Sequence, residues 1–179
     1  MKILIISLLR LGDIVMTTPT LKALKKKHEA CHLHLLINEA FSGIEPLIPC
    51  VDKVFHFHRT KIQDSLSHEN TPLFEAFWQI DGLVDSLNEQ NYDLVINLTH
   101  NRLSGYLMAL IEAKEKLGLV LDGVMPLLRG GEWFRYLNNE FGMLSRPAFH
   151  MVDAFYLACE LPDCYRRISL TETSRGQCE

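Results

Sequence analysis

The sequence predicts an open, mostly parallel α/β sheet flanked by helices, and three observations carry that expectation. The chain begins with a short, β-branched apolar run, Ile3 to Ser7, which is apolar on both faces as a strand inside a parallel sheet must be. The pattern then changes to helical spacing, with Ile14, Val15, Leu21 and Leu24 on one face and Lys22, Lys25, Lys26 and Lys27 on the other face and in the last turn. Strand-like and helix-like segments go on alternating along most of the chain, as they do when helices cross between parallel strands.

The first helix runs from about Gly12 to His28. Pro19 leaves two readings open: a start at Thr18 with the proline first in the helix, or a start near Gly12 with a bend at Pro19. His32 to Ile37 (HLHLLI) and Lys53 to His58 (KVFHFH) read as the second and third strands, separated by a short helix over Glu39 to Leu47 that Pro46 and Pro49 close. Arg59 to Thr71 is polar and aperiodic, and is expected to be a surface loop. A helix from Pro72 to Glu89, a strand from Tyr92 to Leu98 (YDLVINL), a helix from Leu103 to Ala113 and a fifth strand over Lys116 to Val120 complete the alternation. Beyond Gly130-Gly131 the pattern is helical, over Glu132 to Glu140 and Pro147 to Glu160. One domain over residues 1–162 is expected, with 163–179 as a polar tail or the start of a linker.

Composition narrows the function. Of 179 residues, 47% are hydrophobic and 22% charged, enough apolar content for one domain with a sizeable core. The net charge of −4, with Lys and Arg scattered, provides no basic field to hold nucleic acid. Five cysteines at irregular spacing, with no C-x-x-C pair, indicate neither a disulfide framework nor a zinc knuckle, which suits a reducing cytoplasm. Arg10 and Asp13 interrupt the first apolar run before it can read as a signal peptide. No apolar run reaches the roughly 18 to 20 residues of a membrane span, so any membrane contact is peripheral.

In open α/β sheets ligands lie beyond the carboxyl ends of the strands, and the loop after the first strand is a common wall of the site. Here that loop is residues 8–13 (LLRLGD). Gly12 would permit close backbone approach or a positive φ, the helix start would present N–H groups to an anion, and Asp13 would sit where it can take a proton from a bound hydroxyl. An aspartate at a helix start also serves as an N-cap or complements the dipole, and spacing alone does not separate the two roles. Arg10, Arg59, Lys61 and Arg102 all follow strand ends and would form a basic rim for carboxylates or phosphates, with Arg10 and Arg102 the favoured pair. Thr99, His100 and Asn101 follow the fourth strand and would line the same pocket, although Asn101 equally suits a helix cap. His32/His34 and His56/His58 alternate along strands without an acidic or cysteine partner at fixed spacing, so no metal site is expected. The dinucleotide and P-loop glycine fingerprints are absent.

The whole opening phrase, MKILIISLLRLGDIVMTTPTLKALKKKHEA, resembles the N-terminus of the heptosyltransferases, glycosyltransferase family 9, where a strand leads through a Ser/Lys-rich loop to Gly-Asp, a Thr-containing apolar run and Pro. The resemblance continues through HLHLLINEAF, VDKVFHF, YDLVINLTHNRLSGYLMALIEAKEKLGLVLDG and His150-Met151-Val152-Asp153. It implies the Rossmann-like N-terminal half of a two-domain GT-B glycosyltransferase, the half that binds the acceptor. Asp13 would be the general base, with Ser7, Arg10, Gly12, Thr99, His100, Asn101 and Arg102 around the acceptor. Transfer would be inverting and would need no cofactor. ADP-heptose would be the co-substrate and a lipopolysaccharide inner-core sugar the acceptor, on the cytoplasmic side of the inner membrane. The absence of a D-x-D motif fits a metal-independent reaction. Residues 163–179 are too few to build the family's nucleotide-sugar domain, so a truncated or split enzyme partnered by a separate donor half is expected. The alternative is a non-catalytic module that binds a glycan or glycolipid.

Overall fold

Both faces of the first strand carry large apolar side chains, and the architecture follows from the need to cover both. The computed structural model describes residues 1–67, 73–123, 125–140 and 149–161. Its strands are β1 (Lys2–Ser7), β2 (His32–Asn38), β3 (Lys53–Phe57), β4 (Tyr92–Asn97), β5 (Ala113–Asp122) and β6 (Met125–Arg129). Its helices are α1 (Leu11–Lys27), α2 (Arg59–Ser67), α3 (Leu73–Asn88), α4 (Arg102–Leu110), α5 (Glu132–Arg135) and α6 (Met151–Ala158), with a 3-10 helix at Glu39–Leu47 and a π-helical turn at Tyr136–Glu140.

The strands form one six-stranded sheet of order β3-β2-β1-β4-β5-β6, parallel except for β6. Ile5 of β1 is in register with Leu35 on one side and Ile96 on the other, which places the most apolar strand at the centre. Ile3 and Ile5 point to the face covered by Ile14, Leu21 and Leu24 of α1 and by Ala154 and Phe155 of α6. Leu4 and Ile6 point to the opposite face, covered by Val84 and Leu87 of α3 and by Leu107 and Met108 of α4. Each such side chain, fully buried, contributes about 1.5–3 kcal/mol. Strand alternation thus sends successive residues of β1 into two separate cores.

α1 starts at Leu11 and continues through Pro19, which resolves the two readings of that helix. The proline ring cannot donate to the Val15 carbonyl, but the Thr18 hydroxyl donates to that oxygen at 2.7 Å, so the acceptor stays paired inside the helix.

Several boundaries differ from the sequence expectation. The segment from Arg59, expected as a loop, is helix α2 as far as Ser67, while 68–71 lie outside the described residues. α2 packs on α3 and sets Ile62 against the core; its other described side chains are polar, so no apolar period announces it. The helix expected to reach Ala113 ends at Leu110, and β5 occupies Ala113–Asp122, twice the length expected for the fifth strand. The sequence reading has no counterpart of β6, a five-residue strand containing Pro126 and lying between Gly123 and Gly130, both at positive φ. Glu132 to Glu140 is a single α turn followed by the π-helical turn. The last described helix begins at Met151, capped by His150, whose Nδ1 accepts from Val152 N at 3.2 Å. The expected tail, 163–179, lies outside the described residues.

Gly118 lets β5 lie close to β4. It has φ +104°, and a Cβ there would come within 2.4 Å of the Asn97 carbonyl oxygen. Gly118→Ala is therefore expected to lower the unfolding free energy by about 2 kcal/mol or more. Gly12→Ala meets nothing within 4 Å and should raise it by about 0.5–1 kcal/mol. Urea unfolding of both variants checks the contrast.

Candidate functional site at the carboxyl edge of the sheet

The chain leaves β1 towards one face of the sheet, into α1, and leaves β4 towards the other, into α4. Because the two strands are neighbours, their exit loops part and a crevice opens between them, as at any point where the direction of winding reverses.

A buried hydrogen-bond network holds the two loops. Leu8 N donates to Thr99 Oγ1 at 2.9 Å, and that hydroxyl donates to the Ile6 carbonyl at 3.3 Å. Asn97 Oδ1 accepts from Thr99 N at 2.9 Å, while Asn97 Nδ2 donates to Ser104 Oγ at 3.1 Å and to the Leu119 carbonyl at 2.9 Å. Ser104 Oγ donates to the Thr99 carbonyl at 2.9 Å. One asparagine thereby ties β4, its exit loop, α4 and β5. Thr99 and Ser7, both expected around the acceptor, are closed off from solvent, and the Thr99 hydroxyl is fully engaged with backbone.

Asp13 lies in the first turn of α1 and is half-buried. It is not the N-cap: Arg10 is, with extended backbone and no side-chain cap, and Asp13 N and Ile14 N both turn back to the Arg10 carbonyl. The carboxylate is left to complement the helix dipole. Gly12 is helical, not at positive φ, and open on its Cβ side. The positive φ expected as one alternative for it is therefore not adopted, while its open Cβ side leaves room for close backbone approach.

His100 comes close to Asp13 from the β4 loop. Its ring stacks on Phe155 of α6, with centroids 6.1 Å apart and planes inclined at 27°. Neither ring nitrogen makes a hydrogen bond, and both are buried. Burial pushes the imidazole below its ordinary pKa, so it is held neutral, although the Asn138 side chain and the Asp13 carboxylate pull the other way. Asn138 exerts this pull from nearby without meeting the geometry of a hydrogen bond.

The other side of the crevice opens into a cleft of about 340 Å³ lined by Leu8, Leu9, Asn38, Phe57, Arg59, Ile62, Gln63, Ile80, Asn101 and Leu103. Asn101 joins this wall and also caps α4, its Oδ1 accepting from Ser104 N at 2.8 Å. Of the four expected basic residues, Arg59 reaches the cleft; Arg10 and Arg102 stand exposed at the starts of α1 and α4, and Lys61 is exposed on α2. Asp13 with His100, and Arg59 with Asn101, therefore form two groups at one edge of the sheet. His56 and His58 instead pair with Glu45 at 2.7 Å and Glu39 at 2.6 Å. Asn38, Gln63, Asn138 and Phe155 escaped the sequence reading. A strand-end position was available as a signal for Asn38; Gln63 was hidden in a segment read as loop, and the other two come from elements whose place in the fold no pattern reveals.

Comparison with known proteins follows this geometry. No family model matches the chain. Over 106 residues it is 24% identical to lipopolysaccharide heptosyltransferase 3 of Escherichia coli strain K12, covering 59% of this chain and 28% of that protein. Among solved structures it is similar to a family 9 glycosyl transferase from Veillonella parvula, with a TM-score of 0.62 and 23% identity, covering 89% of this chain and 40% of the other. E. coli heptosyltransferase WaaC with ADP gives a TM-score of 0.62 at 16% identity, over 88% of this chain and 46% of WaaC. E. coli ADP-heptose lipopolysaccharide heptosyltransferase II is matched over 97% of this chain and 47% of its own length, at 17% identity. The matches support the resemblance to glycosyltransferase family 9 and a glycosyltransferase-type α/β fold, and the chain spans less than half of each of these relatives.

His100 makes stability depend on pH with a definite sign. Its folded pKa lies below the ordinary 6.5, so unfolded chains take up a proton that folded chains refuse as the pH drops past that value. Stability present above 6.5 is lost on the way down to the folded pKa. His34, lowered by burial and then by Lys53, adds in the same direction. Urea unfolding between about pH 7.5 and 5 should show this loss, and His100→Gln should flatten it. In an NMR titration, Asp13→Asn should lower the His100 pKa further, because the carboxylate favours the imidazolium.

Proposed function

We propose that this chain is the acceptor-side domain of a heptosyltransferase-like glycosyltransferase of lipopolysaccharide core biosynthesis. It takes an anionic sugar acceptor at the carboxyl edge of the sheet, and heptose is transferred from ADP-heptose with inversion at the anomeric carbon. The observation that carries the reading is the position of Asp13, a half-buried carboxylate in the first turn of α1, which is not the N-cap of that helix and interacts electrostatically with His100 of the β4 loop. The nucleotide sugar is held by a donor-side domain, in the same polypeptide or a separate one, and the lipid of the acceptor keeps the reaction at the inner face of the inner membrane.

The chemistry sets what Asp13 must do. A carboxylate is too weak a base to ionise a sugar hydroxyl in the ground state, so it acts only as the new bond forms. The acceptor oxygen attacks the anomeric carbon, the bond from that carbon to the diphosphate oxygen breaks, the proton passes to Asp13, and ADP leaves with the bonding pair. Such concerted transfer depends on position more than on basicity. Burial disfavours the charged form of His100, which interacts with Asp13, so the imidazole adds little competing positive charge there. Arg59 in the cleft, with Arg10 and Arg102 on the rim, supplies charge-assisted hydrogen bonds to carboxylates or phosphates of the acceptor.

Asp13→Asn, nearly isosteric, is expected to leave acceptor affinity within about twofold and to lower turnover by roughly 10²–10⁴ once a family 9 donor-side domain completes the enzyme. Full turnover in that variant would remove Asp13 from the base role. Arg59→Glu should weaken binding of a deacylated inner-core acceptor, with the loss shrinking at high salt; unchanged affinity would contradict the cleft assignment.

A further inference from the structure

The first turns of α3 leave three aromatic rings bare: Phe74, Phe77 and Trp78 are 67%, 55% and 70% exposed. They are spaced i, i+3 and i+4 and so share one side of the helix, and the Phe74 and Trp78 rings lie 6.4 Å apart. Three large exposed aromatics in one cluster mark an interaction surface.

The topology places this cluster. α2 leaves the carboxyl end of β3, and α3 packs on α2 and then feeds the amino end of β4, so α3 begins at the same end of the sheet as the crevice. Ile80, further along α3, lines the Arg59 cleft. Phe74, six residues before it, stands about 9 Å further out along the helix axis. The rings therefore stand at the same end of the sheet as the cleft that the proposed function gives to the acceptor, on a different side of α3 from Ile80 and outside the cleft lining.

The charge pattern selects the occupant. The aromatic stripe of α3 continues as Asp81 and Asp85, both exposed, which follow Phe74 by seven and eleven residues on the same side. A helix that filled a long apolar groove in a protein partner would need apolar residues there instead. A surface that turns from aromatic to anionic within about 5 Å of helix rise fits a planar boundary, with rings at headgroup depth and carboxylates in water. We infer that Phe74, Phe77 and Trp78 form a membrane-docking tip that seats this chain on a lipid bilayer at the cleft end of the sheet. This rests on the glycolipid-acceptor reading, because such an acceptor is presented from a bilayer. Insertion comes from the rings, so binding should be only weakly sensitive to salt.

The test is flotation of the full 179-residue chain with vesicles of phosphatidylethanolamine and phosphatidylglycerol that contain no glycolipid. The wild type is expected to float, with tryptophan emission quenched by brominated lipid and the quenching lost in Trp78→Phe. The Phe77→Ser/Trp78→Ser variant should lose at least tenfold in bound fraction, while Met125→Ser/Leu127→Ser, exposed on β6, should not. Calorimetric binding of a deacylated acceptor should be the same in wild type and the α3 double variant. The inference is overturned if the wild type fails to float, or if the α3 double variant floats equally well. It is also overturned if binding vanishes at about 0.5 M salt, where exposed charges are screened within a few ångströms, or if the double variant turns a dimer into a monomer while vesicles are ignored. Flotation without acceptor binding would sink the proposed function and leave the docking tip standing.

Discussion

The buried side chain of Asn97 holds this molecule's candidate site together. It closes a hydrogen-bonded ring with Thr99 and Ser104 and reaches across to the Leu119 carbonyl of β5, so the end of β4 cannot move without disturbing its neighbours. Thr99 carries the constraint to β1 by accepting from Leu8 N. Unpaired, these buried polar groups would cost about 1–3 kcal/mol each, so the network fastens the two loops to each other. Asp13 follows one of these loops, at the start of α1, and His100 belongs to the other.

Fastened loops matter because the chemistry proposed here depends on position. Asp13 is three residues past the end of the Leu8-to-Arg10 loop, on a helix that starts without a side-chain cap. His100 is one residue past Thr99 and is held by the Phe155 ring. The two core clusters on either face of β1 therefore do more than stabilise the sheet: one delivers α1 and α6 to the Asp13 side, and the other delivers α3 and α4 to the Arg59 side. A carboxylate on one side and a guanidinium on the other suit a ligand that joins a sugar hydroxyl and anionic groups.

The parallel core was legible because burial on both faces forces near-continuous apolar runs, as in Ile3 to Ile6, and because α1 shows a clear lysine face. α2 was not legible: its stability comes from packing on α3 and leaves almost no periodicity in its own residues. β6 was hidden by shortness and by Pro126. For the site, position after a strand end correctly brought Asp13, His100 and Asn101 to one edge of the sheet. It could not separate an open residue from a buried one, so Thr99, whose hydroxyl is engaged with backbone, and the buried Ser7 stand in the same group as the half-buried Asp13. Asn138 and Phe155 were out of reach, since no local pattern says that elements after Gly131 return to cover the β4 loop.

The proposed function divides the labour, with this chain recognising the acceptor and the nucleotide sugar held elsewhere. The most direct test is a pair of calorimetric titrations of the purified chain, one with a deacylated lipopolysaccharide inner core and one with ADP-heptose. Saturable binding of the inner core without binding of ADP-heptose is the predicted result. Binding of ADP-heptose, with or without the acceptor, would contradict it.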